Sequence, residues 1–229
     1  MRRLLAEGIG TAFLVAAVVG SGIAASRLSP DDVGLQLLEN ALATAAALVA
    51  IIIAVGPVSG AHLNPVITLV DLALGGIRAP RALGYVTAQF VGGGIGAMIA
   101  NLTYGLSPVT PSTHARDGAD LWLAEAVATV GLVLVVFGAV RSGRASVAPF
   151  AVGAYIGGAY FFASSTSFAN PAVTLARTLT DTFSGIAPSS APAFIGAQLV
   201  GGALGLGLVL ALYPRIGLVA DGAIVPRVR

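Results

Sequence analysis

Six long apolar tracts restrict the fold of this chain more than any other feature. They cover residues 8–25, 41–55, 83–104, 122–140, 147–163 and 193–213. Each comes near the roughly 17–25 residues that an α-helix needs to cross the hydrocarbon core of a membrane. Lipid offers no hydrogen bonds to a peptide backbone, and apolar tracts of this length satisfy their own backbone groups by forming helices. The sequence therefore predicts an all-α membrane protein with six transmembrane helices.

The composition excludes several classes of protein. Hydrophobic residues make up 56% of the chain and charged residues only 10%, whereas soluble domains carry about 25% charged residues. There is no cysteine, which excludes disulfides and thiolate metal sites. The net charge is only +2, and no basic stripe with interleaved aromatic residues occurs, so we expect no nucleic-acid partner.

The arginines predict how the chain is oriented. Six crossings place both termini on one side, and three arginines, Arg27, Arg116 and Arg177, fall on the other side. The side of the termini holds Arg2, Arg3, Arg78, Arg81, Arg141, Arg144, Arg215, Arg227 and Arg229. Positively charged loops stay in the cytoplasm. We therefore expect a multi-pass protein of the cell (inner) membrane with both termini cytoplasmic.

The two halves of the chain share three motifs in the same order. The first half contains "LLAEGIGTAFLVAA", "SGAHLNPVITLVDLALGG" and "TAQFVGGGIGA". The second half contains "WLAEAVATVGLVLV", "SFANPAVTLARTLTD" and "GAQLVGGALGL". Each copy makes three crossings, so the second copy enters the membrane from the opposite face. We expect one transmembrane domain over residues 1–229, built from inverted repeats of about 1–113 and 114–229, an architecture typical of transport proteins.

An Asn-Pro pair stands in the middle of each repeat, within "NPV" and "NPA". The motif residues are Asn64, Pro65, Val66, Asn170, Pro171 and Ala172. Asparagine favours the N-cap of a helix and proline its first position. The apolar pieces that follow are about 13–15 Å long as helices, half of a membrane of about 30 Å. The motifs therefore predict two re-entrant half-helices that meet N-terminus to N-terminus at the midplane.

Two such half-helices would border a pore. Irregular backbone at this depth occurs only where it is buried in protein or lines a water-filled cavity. Helix N-termini are partially positive and repel protons and cations, while the amides of Asn64 and Asn170 can donate hydrogen bonds to a passing molecule. The pattern predicts a path for small neutral polar solutes.

Two acids and one histidine lie near these motifs. Glu7 and Glu125 occur inside apolar tracts, where an acid indicates either a proton relay or a structural acceptor of loop N–H groups. The structural role is favoured, because both repeats hold the same acid and no basic partner is evident within the membrane. His62 is expected to pack against the loop or line the pore, since a chain with two histidines lacks a metal-ligand set. No catalytic set, phosphate loop or metal spacing occurs, so we expect neither an enzyme nor a cofactor.

The duplicated Asn-Pro motifs, with paired Glu-x3-Thr segments, resemble the major intrinsic proteins, which comprise aquaporins and glycerol facilitators. The resemblance covers nearly the whole chain. It implies an hourglass fold of six helices and two half-helices, a pore in every subunit, passive conduction and a homotetramer surrounded by membrane lipid.

The resemblance also implies where the selectivity filter lies. Counted from the two asparagines, its four positions fall on Thr44, Gly158, Ser167 and Val173. Family members that select water typically have an aromatic residue, a histidine and an arginine there, and glycerol-conducting members keep the arginine with two aromatics. This chain has none of these. We expect a wide, arginine-free filter that passes water, glycerol-like polyols and neutral metalloid hydroxides such as arsenous acid, as in bacterial members with reduced filters.

Alternatives remain open at this point. Arg177 lies one turn beyond Val173 and is either a displaced filter charge at the outer mouth of a water-selective pore or a helix-end anchor that pairs with Asp181 or a carbonyl. A proton-coupled transporter that uses Glu7 and Glu125 is the alternative from another class. Val66 stands where the family usually has alanine, and its bulk lies near the narrowest part of the path.

Overall fold

The structure is a computed structural model that describes residues 1–141 and 143–213, and this part of the chain is mostly helical. Six of them are long and apolar enough to cross a membrane, judged by length and composition. They are α1 (Arg2–Leu28), α2 (Val33–Ser59), α4 (Ala79–Thr103), α5 (Ala119–Arg141), α6 (Ala148–Phe162) and α8 (Ala191–Leu212). A 3-10 turn, Ala145–Val147, precedes α6.

Two short helices lie between them, one in each half. These are α3 (Pro65–Ala73) and α7 (Pro171–Ala176), and a 3-10 turn, Arg177–Leu179, continues the second. Asn64 and Asn170 are the N-caps: Asn64 Oδ1 accepts from Val66 N at 2.9 Å, and Asn170 Oδ1 from Ala172 N at 3.0 Å. The predicted fold of six crossing helices and two half-helices is confirmed.

The long helices pack through glycines. A Cβ atom added at Gly92 would lie 2.1 Å from the carbonyl oxygen of Gly8, and one at Gly96 would lie 2.2 Å from that of Ala12. In the second half, a Cβ at Gly201 would lie 2.5 Å from the carbonyl oxygen of Ala126. Helices α4 and α8 therefore approach α1 and α5 closely, as small residues allow within membranes.

Part of the repeat prediction lies outside the described residues. Residues 214–229 contain Arg215, Arg227, Arg229 and the end of the second repeat. The inverted repeats of about 1–113 and 114–229, and the orientation of the termini, stay predictions.

We expect Gly92→Ala to destabilise the protein. The added methyl group would overlap the backbone of α1, and overpacking typically costs about 1–3 kcal/mol of unfolding free energy. Thermal unfolding in detergent measures the change. Gly207→Ala is the matched control, because nothing lies within 4 Å of a Cβ at that position. Equal stability of both variants would contradict the close helix contact.

Candidate functional site: a pore between the Asn-Pro motifs

A cavity of about 60 Å³ lies between the two Asn-Pro motifs. Its walls come from α1, α2, α5, α6, both half-helices and both re-entrant loops, and most lining side chains are apolar. One water molecule needs about 10–15 Å³ by the same measure, so the cavity has room for a few. Asn64 and Asn170 both line it.

The two asparagines bind each other's loop. Asn64 Nδ2 donates to the carbonyl oxygen of Ala169 at 2.7 Å, and Asn170 Nδ2 donates to that of Leu63 at 2.8 Å. An amide nitrogen carries two N–H groups. Each asparagine therefore uses one N–H to hold the motifs together and retains the other for a molecule in the cavity.

The re-entrant loops adopt a backbone conformation that the sequence did not reveal. Ala61 and Leu63 have φ angles of 50° and 51°, and Ser167 and Ala169, at the matching positions before Asn170, have φ angles of 52° and 47°. Non-glycine residues rarely adopt this left-handed region, which costs of order 1–3 kcal/mol per residue. No glycine marks these positions in the sequence, so other interactions must hold the loops in place.

Glu7 provides those interactions for the first loop. Its carboxylate is fully buried, and it accepts from Ser59 Oγ at 2.6 Å and from Gln89 Nε2 at 2.8 Å. It also accepts from the backbone N–H groups of His62 at 3.0 Å and Leu63 at 2.7 Å. Four donors thus converge on one carboxylate.

Glu125 has the same surroundings in the second loop. It accepts from Ser165 Oγ at 2.6 Å, Gln198 Nε2 at 2.6 Å, Phe168 N at 2.8 Å and Ala169 N at 2.9 Å. With four donors at each acid, the geometry fits loop-supporting carboxylates better than a proton relay. The sequence pointed to both acids but not to the serine at each loop entrance.

The filter position on α6 requires a correction. Gly158 is exposed on the outside of the protein, whereas Val152, Ile156 and Tyr160 line the cavity. Successive helix residues are about 100° apart, so Gly158 faces away from the side that bears Ile156 and Tyr160. Of the α6 residues in the cavity wall, Tyr160 comes last in the sequence before the second loop, and its hydroxyl lies 3.1 Å from Thr44 Oγ1. The prediction of Gly158 at the pore is wrong.

The other three predicted filter residues line the cavity. Thr44, Ser167 and Val173 belong to α2, the second re-entrant loop and α7. Val173 offers no hydrogen bond to a solute. Among the described residues, the buried hydroxyl of Ser167 has no hydrogen-bond partner, so it is free to contact a molecule in the cavity.

Arg177 also lines the cavity, so the path carries an arginine although the predicted filter position Val173 does not. It is only 3% exposed, its Nε donates to the carbonyl oxygen of Ser184, and its guanidinium carbon lies 3.4 Å from the centre of the Phe168 ring. It does not pair with Asp181, whose carboxylate accepts from Thr113 N and Oγ1 at 2.9 and 3.0 Å. Arg177 is therefore anchored by a carbonyl and faces the pore as well.

Asp181 and His114, in the loops outside the membrane, both have lowered pKa values. Hydrogen bonds from Thr113 lower the pKa of Asp181, which stays ionised. Partial burial, and then the charges of Arg116 and Arg177, lower the pKa of His114. The ring of His114 is therefore neutral at pH 7, and the positive charge beside the Phe168 ring comes from Arg116 and Arg177.

Val66 points away from the pore. It is absent from the cavity wall and packs against α8, where a Cβ at Gly202 would lie 2.5 Å from Val66 Cγ1. Gly202 therefore accommodates the bulk that valine adds at the midplane.

His62 lines the cavity from the first loop. Its Nδ1 lies 3.1 Å from Thr68 Oγ1, and its Nε2 lies 3.4 Å from Asp71 Oδ2. Asp71 was not among the predicted site residues, although an acid within the apolar stretch "PVITLVDLAL" is the same kind of signal as Glu7 and Glu125. No group of residues that could hold a metal ion occurs within 1–141 and 143–213.

We expect Glu125→Gln to destabilise the protein and abolish conduction. A glutamine at this position would direct its own N–H groups at the donors that now bind the Glu125 carboxylate. Each lost hydrogen bond to a charged group costs about 1.5–3 kcal/mol. Thermal unfolding and solute flux into vesicles measure both effects. Asp120→Asn, an exposed acid in the first turn of the same helix, is the control and should change stability by no more than about 1 kcal/mol. A fully stable Glu125→Gln protein would argue against the loop-supporting role.

Known proteins of similar sequence and structure support a common family. The chain is 47% identical over 208 residues to "Aquaglyceroporin AqpS" of Rhizobium meliloti, covering 91% of this chain and 88% of that protein. It is 32% identical over 223 residues to "Aquaporin Z" of Bradyrhizobium diazoefficiens, covering 90% of each. The aquaglyceroporin of Plasmodium falciparum superposes with a TM-score of 0.69 at 20% identity, covering 95% of this chain and 98% of that one, and shows the common fold.

The sequence profile of the family described as "Major intrinsic protein" matches residues 1–167. Together with the relatives, this match supports a passive channel for small neutral solutes and not an enzyme. The helices, half-helices and Asn-Pro motifs thus have one explanation: this chain belongs to the major intrinsic protein family.

Proposed function

We propose that this channel conducts glycerol-sized polyols, neutral metalloid hydroxides such as arsenous acid, and water. The observation that carries the proposal is the cavity beside the Asn-Pro motifs, whose wall is mostly apolar and offers few hydrogen bonds. A polyol or a small hydroxide has an apolar or compact body and several hydroxyl groups, which suits such a wall. The aquaglyceroporin at 47% identity supports this solute class.

Four side chains would set selectivity at the outer constriction. Thr44 and Tyr160 share a hydrogen bond, so each retains part of its capacity for a solute. Val173 contributes only bulk, and Ser167 contributes a free hydroxyl within the described residues. With Tyr160 in place of the predicted Gly158, the constriction is narrower than the sequence suggested. Because residue 173 is valine, the constriction has no arginine at that position.

Ions would be excluded by charge. The N-termini of α3 and α7 both face the midplane and carry partial positive charge. Arg177 adds a positive charge that, among the described residues, has no carboxylate at ion-pair distance. A cation or a proton that approaches from the Arg177 end therefore meets two successive barriers.

The proposal includes the remaining architecture. The protein would act as a homotetramer in the cell (inner) membrane, with a pore in each subunit, lipid around the assembly, both termini cytoplasmic and one domain over 1–229. Many large apolar side chains are exposed on the outside of the single subunit, for example Phe13, Leu83 and Leu123, as contact with lipid or a neighbouring subunit requires.

One observation favours a second candidate, a water-selective pore. Because Arg177 lines the cavity, its charge could take over the role of an arginine at position 173 and exclude polyols. The proton-coupled transporter is less favoured, since Glu7 and Glu125 each bind four donors and leave no vacant site for an exchanging proton.

We expect vesicles that contain the purified protein to take up glycerol and arsenous acid. Flux should rise linearly with solute concentration and should not respond to a pH gradient, because a pore does not couple solute to protons. Stopped-flow light scattering measures the swelling. Saturation together with proton dependence would indicate the transporter, and water flux without glycerol flux would indicate the water-selective pore.

We expect Val173→Arg to reduce glycerol flux about tenfold and water flux much less, because an arginine narrows the ring and adds charge. Val173→Leu is the matched control for bulk without charge and should have a smaller effect. Unchanged glycerol flux in Val173→Arg would place the constriction elsewhere.

Arg177→Met tests the second candidate, since methionine keeps much of the length but removes the charge. If Arg177 excludes polyols, glycerol flux should rise relative to water flux. Under the leading proposal this ratio stays within about twofold, because Arg177 acts on ions and not on neutral solutes.

A further inference from the structure

The two half-helices carry charged residues at the same relative position. Asp71 and Arg177 each stand seven positions after the asparagine of their motif, which is about two helical turns. Each contacts the residue two positions before its asparagine: Asp71 lies against His62, and Arg177 lies against Phe168. At these matched positions, the first half pairs a histidine with an acid, and the second half pairs an aromatic ring with an arginine.

His62 and Asp71 are buried together, so the charge of the Asp71 carboxylate needs compensation. Both side chains are fully buried, and their closest nitrogen and oxygen atoms are 3.4 Å apart. A buried carboxylate costs several kcal/mol unless several hydrogen-bond donors converge on it, as at Glu7, or a positive charge balances it. His62 is the group at ion-pair distance that can supply this charge.

The hydrogen bonds around Thr68 indicate which ring nitrogen carries a proton. Thr68 Oγ1 donates its single proton to the carbonyl oxygen of Asn64 at 3.0 Å and accepts from Gln89 Nε2 at 3.0 Å. A hydroxyl has one proton to give. His62 Nδ1, 3.1 Å from the same oxygen, must then be the donor in that contact.

His62 Nε2 faces Asp71, and the acidic neighbours of the imidazole favour its positively charged form. The titratable groups near His62 are Asp71 on α3, Glu7 on α1 and Tyr85 on α4. Glu7 accepts from the backbone N–H of His62, and Tyr85 meets the imidazole edge to face at 5.2 Å. The negative charges of Glu7 and Asp71 both stabilise a positively charged ring.

We propose that Asp71 is a positioning residue of the conduction pathway, which holds His62 as an imidazolium with Nδ1 directed at Thr68 Oγ1 and Nε2 directed at the Asp71 carboxylate. The inference rests on the proposed channel function. The pair has no net charge, and His62 presents ring carbons and no hydrogen-bonding nitrogen to a solute. This half of the path therefore keeps the same charge over a wide pH range.

Nitrogen-15 NMR of His62 tests the proposal directly. The chain has two histidines, so His114→Gln leaves His62 as the single ring to observe. We expect both ring nitrogens to be protonated from pH 5 to pH 8. An unprotonated Nε2 at pH 7 would overturn the proposal. This measurement does not depend on conduction, so it separates the inference from the proposed function, and it needs no change at Asp71.

Solute flux into vesicles gives the second measurement. The protein with Asp71 should conduct glycerol equally at pH 5 and pH 8, within about 1.5-fold, because the pair keeps its proton. In Asp71→Asn the ring loses its counter-charge, becomes neutral at pH 8 and charges as pH falls. We expect its glycerol flux to differ by at least about threefold between these pH values.

Two controls complete the experiment. Asp31→Asn removes an exposed acid and should leave the flat pH profile unchanged. Adding His62→Gln to Asp71→Asn removes the titrating ring and should restore a flat profile. A flat profile in the folded Asp71→Asn protein itself would overturn the positioning role. Absence of glycerol flux at every pH in the protein with Asp71 would instead contradict the proposed function.

Discussion

The rest of the structure depends on two buried carboxylates that bind the backbone of the re-entrant loops. In the middle of a membrane, an unpaired N–H group costs several kcal/mol, and no water replaces the lost bond. Glu7 and Glu125 accept two such N–H groups each and two side-chain donors besides. These bonds offset the left-handed backbone of the loops and bring each asparagine to the carbonyl of the opposite loop.

The two halves therefore share one scaffold but differ in what they present to a solute. In both, a glutamine joins the glutamate to a threonine of the half-helix, Gln89 to Thr68 and Gln198 to Thr174. The side chains that this scaffold holds beside the cavity are different. A histidine and an acid occupy the first half, whereas a phenylalanine and an arginine occupy the second. The path is thus symmetric in backbone and asymmetric in chemistry.

This arrangement suits the conduction of neutral molecules. The buried carboxylates are bound to N–H and O–H donors or lie beside a histidine, so they add little attraction for cations along the cavity. The positive ends of the half-helices and Arg177 act against cations and protons. Under the proposed function, a solute would contact one N–H of each asparagine, the Ser167 hydroxyl and part of the Thr44 and Tyr160 pair.

The sequence by itself determined the six crossings, the half-helices and the two glutamates, because hydropathy, Asn-Pro capping and acids within apolar tracts are local signals. Only the tertiary structure decided which side chains meet at the cavity. Gly158 was chosen by counting back from Asn170, which assumes a fixed loop length. A shift of two residues along a helix turns a side chain to the opposite face. Likewise, the contacts of Arg177 with Phe168, of Val66 with Gly202 and of Asp71 with His62 join separate segments, whose packing no local pattern records.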